Sequence, residues 1–257
     1  EQRYKNMYLC TIFVQYMKVV IAEKYKKYSD FILNIPSRFD DEDCEILKQK
    51  RNSVRLFLNE GKAFVVKRYK RVNWIQSIIY TFFRATKAER AYDFAREMRH
   101  RGIETPHEIA YIETKEHGLF TVGYFICEES KGREVYEDVI ERAEFDHKLV
   151  DAVIDYIVFM HSKGVLHGDM NSANFLYTTD KEGNYHFEMI DTNRSHFCKG
   201  FPTEKQCLEN IKRFTHRRDL YEYVIRGYAR RRGWDEDSTL KKAIRLLDKF
   251  ENRKIKL

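Results

Sequence analysis

No two cysteines in this sequence stand at CxxC spacing, and the five present, at 10, 44, 127, 198 and 207, are an odd number without a metal-ligand pattern. That usage counts against a disulfide framework and a zinc site and fits a reducing cytoplasm. Proline and glycine are sparse, three and eleven in 257 residues, which leaves little room for a long flexible linker. Long apolar runs are also missing. The strongest near the start, MYLCTIFVQY at 7 to 16, is short, interrupted by polar residues and has no small-residue cleavage site, so it reads as neither a secretion signal nor a membrane span. Internal repeats and low-complexity segments are absent.

What is present is a globular composition, 43% hydrophobic and 14% aromatic, with a formal net charge of +7. Basic residues cluster at 67 to 71 (KRYKR), 212 to 218 (KRFTHRR) and 226 to 232 (RGYARRR). Such a balance favours anionic partners, among them nucleotide phosphates and acidic lipid headgroups, or else a plain solvated basic face. No helix-turn-helix, zinc or RNA-recognition pattern accompanies the charge, so no nucleic-acid partner is expected.

Between Met17 and about Lys70 the runs KVVIA, SVRLFLN and AFVVKRY alternate in the manner of half-buried strands, with NEGK as a turn. The period then changes. Ala88, Ala91, Tyr92, Ala95 and Met98 share one helical face, stopped by Gly102. Two further strands flank KEHG, and EFDHKLVDAVIDYIVFMHSKG carries the clearest helical stripe, ending at Gly164. NFLYTTDKEGNYHFEMIDTN reads as a hairpin with Asp180 to Asn184 at its tip, and 204 to 257 as basic helix. The expected class is α+β in two lobes: 1–16 as an extension without an assigned role, 17–129 strand-rich with one long helix, and 130–257 helix-rich. Ligands favour the cleft that two lobes create.

Phosphoryl transfer in the kinase manner needs an Asp to orient or deprotonate the acceptor hydroxyl, an Asn and an Asp for the metal, and a Lys for nucleotide phosphates, itself fixed by a Glu. HGDMNSAN places Asp169 and Asn174 in the order HxDxxxxN, so one loop presents a base and a metal ligand. Asp191 follows the apolar strand of EMIDTN, Lys67 lies in the strand AFVVKRY, and Glu89 stands on the next helix. Each residue alone reads more readily as a turn, solvated strand or helix-surface residue. The ordered set points to a kinase.

Beyond this set, AFVVKRY through KAERAYDFAREMRHRGIETP, then GVLHGDMNSANFL and FEMIDTNRSHF, resemble the lipopolysaccharide core kinases, the Kdo/heptose kinase family of Gram-negative bacteria, over most of the chain from Met17. The TP after such a helix is also similar to RIO-type atypical kinases. The resemblance implies a bilobal protein-kinase-like fold, ATP with Mg2+, and phosphorylation of a sugar hydroxyl in the lipopolysaccharide inner core. It implies Lys67 on the ATP phosphates with Glu89 paired to it, Asp169 as the catalytic Asp, and Asn174 and Asp191 as metal ligands. By position it places adenine contacts at Cys127 to Ser130, including Glu128 and Glu129, mostly through backbone atoms. A cytoplasmic enzyme in peripheral contact with the inner membrane is the implied setting.

The sequence departs from kinase patterns in several places. No GxGxxG occurs, KQKRNSV standing at 48 to 54 where it belongs; TNR follows Asp191 in place of FG; and NSAN, Asn171 to Asn174, stands at the loop Asn in place of the family's SPGN. HGD in place of HRD removes the usual partner of an activation-loop phosphate, and no APE segment follows Asp191. A small acceptor is therefore favoured over a protein, with a protein kinase or an aminoglycoside- or choline-like phosphotransferase as the alternative, and a pseudokinase scaffold behind them.

Overall fold

The computed structural model describes residues 16–41, 44–49 and 52–255. The expected extension at 1–16 lies, except for Tyr16, outside the described residues. The chain divides into two compact units, one running to Glu97 and including Pro106–Glu129, the other made of Met98–Thr105 and the residues from Ser130 onward.

The first unit contains β1 (Tyr16–Ile21), a 3-10 turn (Glu23–Tyr28), α1 (Ser29–Arg38), β2 (Glu45–Gln49), β3 (Ser53–Asn59), β4 (Lys62–Arg68), α2 (Trp74–Phe82), α3 (Lys87–His100) up to Glu97, β5 (Glu108–Glu116) and β6 (Leu119–Cys127). Its six strands form one antiparallel sheet in the order β1-β5-β6-β4-β3-β2. Two hairpins within it close in the same way. Glu60 and Gly61 (φ 50° and 73°) join β3 to β4, and His117 and Gly118 (φ 50° and 81°) join β5 to β6; positive φ at both central residues gives the turn the right-handed twist of its strands.

Alternation along the strands sends Phe57, Phe64, Val66, Ile112 and Ile126 to one face, where Tyr25, Tyr28, Ile32, Ile35 and Phe39 cover them. On the opposite face Tyr69 and Tyr111 meet Ala88 and Tyr92 of α3. The stripe expected on α3 is buried at all five positions, Ala88, Ala91, Tyr92, Ala95 and Met98. Two elements differ from the expected run of strands. α1 carries Pro36 inside a ten-residue helix, which interrupts the propensity signal that would announce it. β2 is exposed at every position, so no inward–outward alternation marks it.

The second unit contains β7 (Arg133–Glu134), α4 (Val135–Val139), α5 (His147–Ser162), β8 (Val165–Leu166), β9 (Phe175–Thr179), β10 (Tyr185–Met189), β11 (His196–Phe197), α6 (Glu204–Ile211), α7 (Arg218–Arg231) and α8 (Glu236–Ile255). Asp146 caps α5 by accepting the Leu149 N–H at 3.1 Å, which satisfies one of the free amides of the first turn. Leu149, Val150, Val153, Ile154 and Ile157 pack into a core shared with Leu220, Tyr221, Val224 and Tyr228 of α7. The hairpin of β9 and β10 turns at Asp180–Asn184, where Asp180 accepts the Asn184 N–H.

Ile32 is fully buried in the first unit's core. Ile32→Ala removes its contacts and leaves a cavity, an expected loss of about 2–5 kcal/mol, read as a lowered midpoint in chemical denaturation.

Candidate active site

In the first unit, Lys67 is half-buried near the end of β4, opposite Val54 on β3 and Phe125 on β6. Its ammonium lies 5.4 Å from the centre of the Tyr69 ring. Glu89 occupies the first turn of α3, where an acidic residue suits the helix dipole. Its carboxylate accepts from Lys18 Nζ at 2.7 Å and from Tyr111 Oη at 3.2 Å.

The resemblance implies Lys67 as the partner of Glu89; the bonds that the Glu89 carboxylate makes are those to Lys18 and Tyr111. The reason lies in the register. Lys18 on β1 stands opposite Glu113 on β5, 3.7 Å from that carboxylate, and Thr86 ties the same corner together: its hydroxyl donates to Glu113 at 2.6 Å and accepts the Glu89 N–H at 3.1 Å. Burial works against the Lys18 charge, but the bonds to Glu89 and Tyr111 and the nearby Glu113 outweigh it and raise the Lys18 pKa. Burial raises Glu113, against the Thr86 bond and the Lys18 charge. Lys18 is thus the shared cation of two carboxylates. The one signal in the sequence was its strand position, two residues before the apolar Val20 on the same face.

Glu128, at the end of β6, accepts from Lys62 at 2.6 Å and from Tyr25 Oη at 2.7 Å. Partial burial raises its carboxyl, and the Lys62 and Tyr25 bonds more than reverse that, holding it below the usual carboxylate range. Its N–H donates to His107 O. Glu129 is the last residue of the first unit and is partly buried.

In the second unit the loop after β8 is held from several sides. His167 is fully buried; its Nε2 donates to Ile190 O at 3.0 Å and its Nδ1 accepts the Asp169 N–H at 3.3 Å. Burial lowers its pKa, against the charges of Asp191 and Asp169, so the ring is neutral and can both donate and accept. Asn174 Nδ2 donates to Asp169 O at 2.7 Å, and Asn174 O accepts the Ile190 N–H. The loop thus closes on itself and bonds to the residue before Asp191. Asn171, in the NSAN segment, accepts the Ala173 N–H and starts the short turn that delivers Asn174.

Asp191 sits in the left-handed region (φ 61°, ψ 47°), an uncommon conformation for a non-glycine residue and one that Asp tolerates better than most. Its Oδ1 accepts from Asn193 Nδ2 at 2.8 Å. Arg194 Nη1 lies 3.7 Å from Asp169 Oδ2. Gly168 explains the HGD triplet: a Cβ there would stand 2.0 Å from Arg194 O. No side chain fits.

Beneath the loop runs a directional chain of donors. Arg232 donates to Tyr228 Oη, Tyr228 to His161 Nδ1, His161 Nε2 to Asn210 Oδ1, and Asn210 Nδ2 to His167 O, at 2.8, 2.8, 3.1 and 2.6 Å. This order requires a neutral His161, and burial lowers its pKa to about 4. Arg194, Asn193 and Asn210 escaped the sequence reading. The first two stand inside IDTNR; Asn210 carried no local signal. The arginines at 217, 218, 226, 230 and 231 all pair internally, with Asp219, Glu251, Asp237, Glu236 and Asp155, so much of the basic character of those clusters is neutralised in place.

A loop Asp cross-tied to an Asn five residues on and to the strand before a second Asp is the arrangement of protein-kinase-like phosphotransferases. Residues 51–249 match the model of the lipopolysaccharide kinase (Kdo/WaaP) family. The chain belongs to that family and is a kinase. Among solved structures, WaaP in complex with acyl carrier protein is similar at 17% identity and a TM-score of 0.59, over 93% of this chain and 98% of that one, a likeness of fold. The Rio2 kinase-ADP/Mg2+-phosphoaspartate complex from Chaetomium thermophilum matches at 17% identity and a TM-score of 0.47, over 91% and 81%. No curated protein sequence matches the chain.

Gly168→Ala is expected to displace the loop and lower transfer by about 100-fold or more, while circular dichroism stays native-like. A second prediction concerns acid. His161 is neutral when folded and protonates near 6.5 when unfolded, so its contribution is complete above pH 6.5 and is lost as pH falls towards 4. The loss amounts to about 3 kcal/mol at most, and the denaturation midpoint of His161→Asn should fall less over that window.

Proposed function

We propose that this kinase transfers the γ-phosphate of ATP, with Mg2+, to a sugar hydroxyl of the lipopolysaccharide inner core, Kdo or heptose. The observation that carries the reading is the bonded loop of Asp169 and Asn174, tied through Ile190 to Asp191, within a chain of this family. Asp169 accepts a hydrogen bond from the acceptor hydroxyl and removes its proton as the new O–P bond forms and the bond from the γ-phosphorus to the bridging oxygen breaks, releasing ADP. Arg194, with Nη1 3.7 Å from the Asp169 carboxylate, lies where acceptor phosphate or carboxylate groups would approach.

Asn174 and Asp191 fit a hard cation. Asn174 uses its N–H on Asp169 O, which leaves the amide oxygen as a donor atom, and Asp191 adds a carboxylate. Two protein oxygens, completed by phosphate oxygens and water, suit Mg2+, and the described residues hold no cluster of three or more His, Cys, Asp or Glu able to form a richer cage. Mg2+ bound there would neutralise the charge on the transferring phosphate. Lys67 contacts the ATP phosphates in this reading, with Glu89 acting through Lys18 to hold the start of α3, and Glu128 and Glu129 marking the adenine end.

The acceptor is small by the same reasoning. From Asp191 the chain passes through one turn and the two-residue β11 to α6, without the long segment on which protein kinases build a peptide groove. No helix among the described residues is long and apolar enough to cross a membrane. ATP supply places the reaction on the cytoplasmic side of the inner membrane.

Asp169→Asn should lower transfer to purified core oligosaccharide by about 10²–10⁴-fold while ATP with Mg2+ still raises its melting temperature. Mass analysis of the product identifies the phosphorylated sugar; unchanged turnover in the variant, or phosphate found only on protein, would refute the reading.

A further inference from the structure

α2 is packed with its polar side inward. Ser77 is buried and donates to Phe120 O, and Thr81 Oγ1 both donates to Ser77 O (2.7 Å) and accepts the Phe120 N–H (2.9 Å). Tyr80 packs edge-on against the Phe120 ring at 5.7 Å. The other side is apolar and open: Trp74 is 72% exposed, Ile75 51%, Ile79 41%, Phe82 69% and, just past the helix, Phe83 80%. Positions 74, 75, 78, 79 and 82 form one helical stripe. A surface helix of a soluble domain ordinarily turns such a stripe to the core, and a contiguous exposed patch of this kind marks an interaction surface.

The surrounding charge says what covers it. Gly61 to Ala88 contains seven Lys and Arg residues and no Asp or Glu. Lys70 and Arg84, at the two ends of the helix, are exposed and have no carboxylate within ion-pair distance among the described residues, unlike the paired arginines of α7. Lys70 also lines, with Arg68, Arg71 and Tyr124, a hollow of about 330 Å3 able to receive an anionic headgroup. Aromatic and branched side chains between flanking cations match a helix lying at the headgroup–acyl boundary. A protein partner would find few polar groups to bond on the apolar side, since the Ser77 and Thr81 hydroxyls face inward.

We propose that α2 is an interfacial anchor that inserts Trp74, Ile75, Ile79, Phe82 and Phe83 into an anionic phospholipid surface, with Lys70 and Arg84 on the headgroups. The inference rests on the helix and its charges and is independent of the acceptor sugar.

The test uses the full chain and vesicles free of lipopolysaccharide. With Trp234→Phe, Trp74 becomes the single tryptophan; its emission should shift to the blue on adding phosphatidylglycerol-containing vesicles and much less with pure phosphatidylcholine. In co-sedimentation of the otherwise native chain, Trp74→Ser/Phe82→Ser/Phe83→Ser should weaken binding by about tenfold or more, and Lys70→Gln/Arg84→Gln should weaken binding to anionic vesicles and flatten its salt dependence. Native melting temperatures in these exposed-site variants show that folding is intact. Absence of vesicle binding by the native chain overturns the proposal. So does unchanged vesicle binding by the triple serine variant, including the case in which that variant instead loses a complex with an acidic protein.

Discussion

The imidazole of His167 is the joint on which the reacting loop depends. Because it is buried it stays neutral, and only a neutral ring can donate to Ile190 O while accepting the Asp169 N–H. The first bond fixes the strand end from which Asp191 emerges; the second sets the backbone of Asp169 itself. Asn174 completes the closure from the far end of the loop, and Asn210 holds His167 from below. Asp169, Asn174 and Asp191 are thereby tied together by hydrogen bonds between side chains and the backbone. Gly168 permits it by allowing the Arg194 carbonyl to approach where any Cβ would collide.

The first unit secures its charges differently. Protein kinases are described with a Lys–Glu pair that can be made and broken. Here the acid of α3 is claimed by an additional edge strand, and Lys18, Glu89, Glu113, Tyr111 and Thr86 form one half-buried network. Removing the cation would strand two carboxylates, a penalty larger than the value of either ion pair. Such an arrangement favours a permanently set α3 over a switched one, in keeping with the HGD triplet, which has no arginine to receive a regulatory phosphate.

Much of this was legible in the sequence. Strand alternation gave β3, β4 and the β5–β6 hairpin, the 3.6-residue period gave α3 and α5, and the ordered set of Lys67, Glu89, Asp169, Asn174 and Asp191 pointed to a kinase, the class that family membership shows. Local rules failed where the deciding partner was distant. Lys18 lies 71 positions from Glu89 and Asn210 lies 43 from His167, separations over which spacing carries no information. α1 was concealed by Pro36 and β2 by full exposure. The arginine clusters near the end read as anion-seeking because their carboxylate partners stand one or two turns away, or on another helix.

The family match opens at residue 51, whereas the physical unit starts much earlier. Tyr25, Tyr28, Ile32, Ile35 and Phe39 cover one whole face of the sheet, and the cation for Glu89 and Glu113 sits at position 18. A fragment trimmed to the recognisable region would leave that face bare and β5 as an unpaired edge, a template for aggregation. In this protein a segment that lies before the family match covers a face of the sheet and pairs the edge of β5.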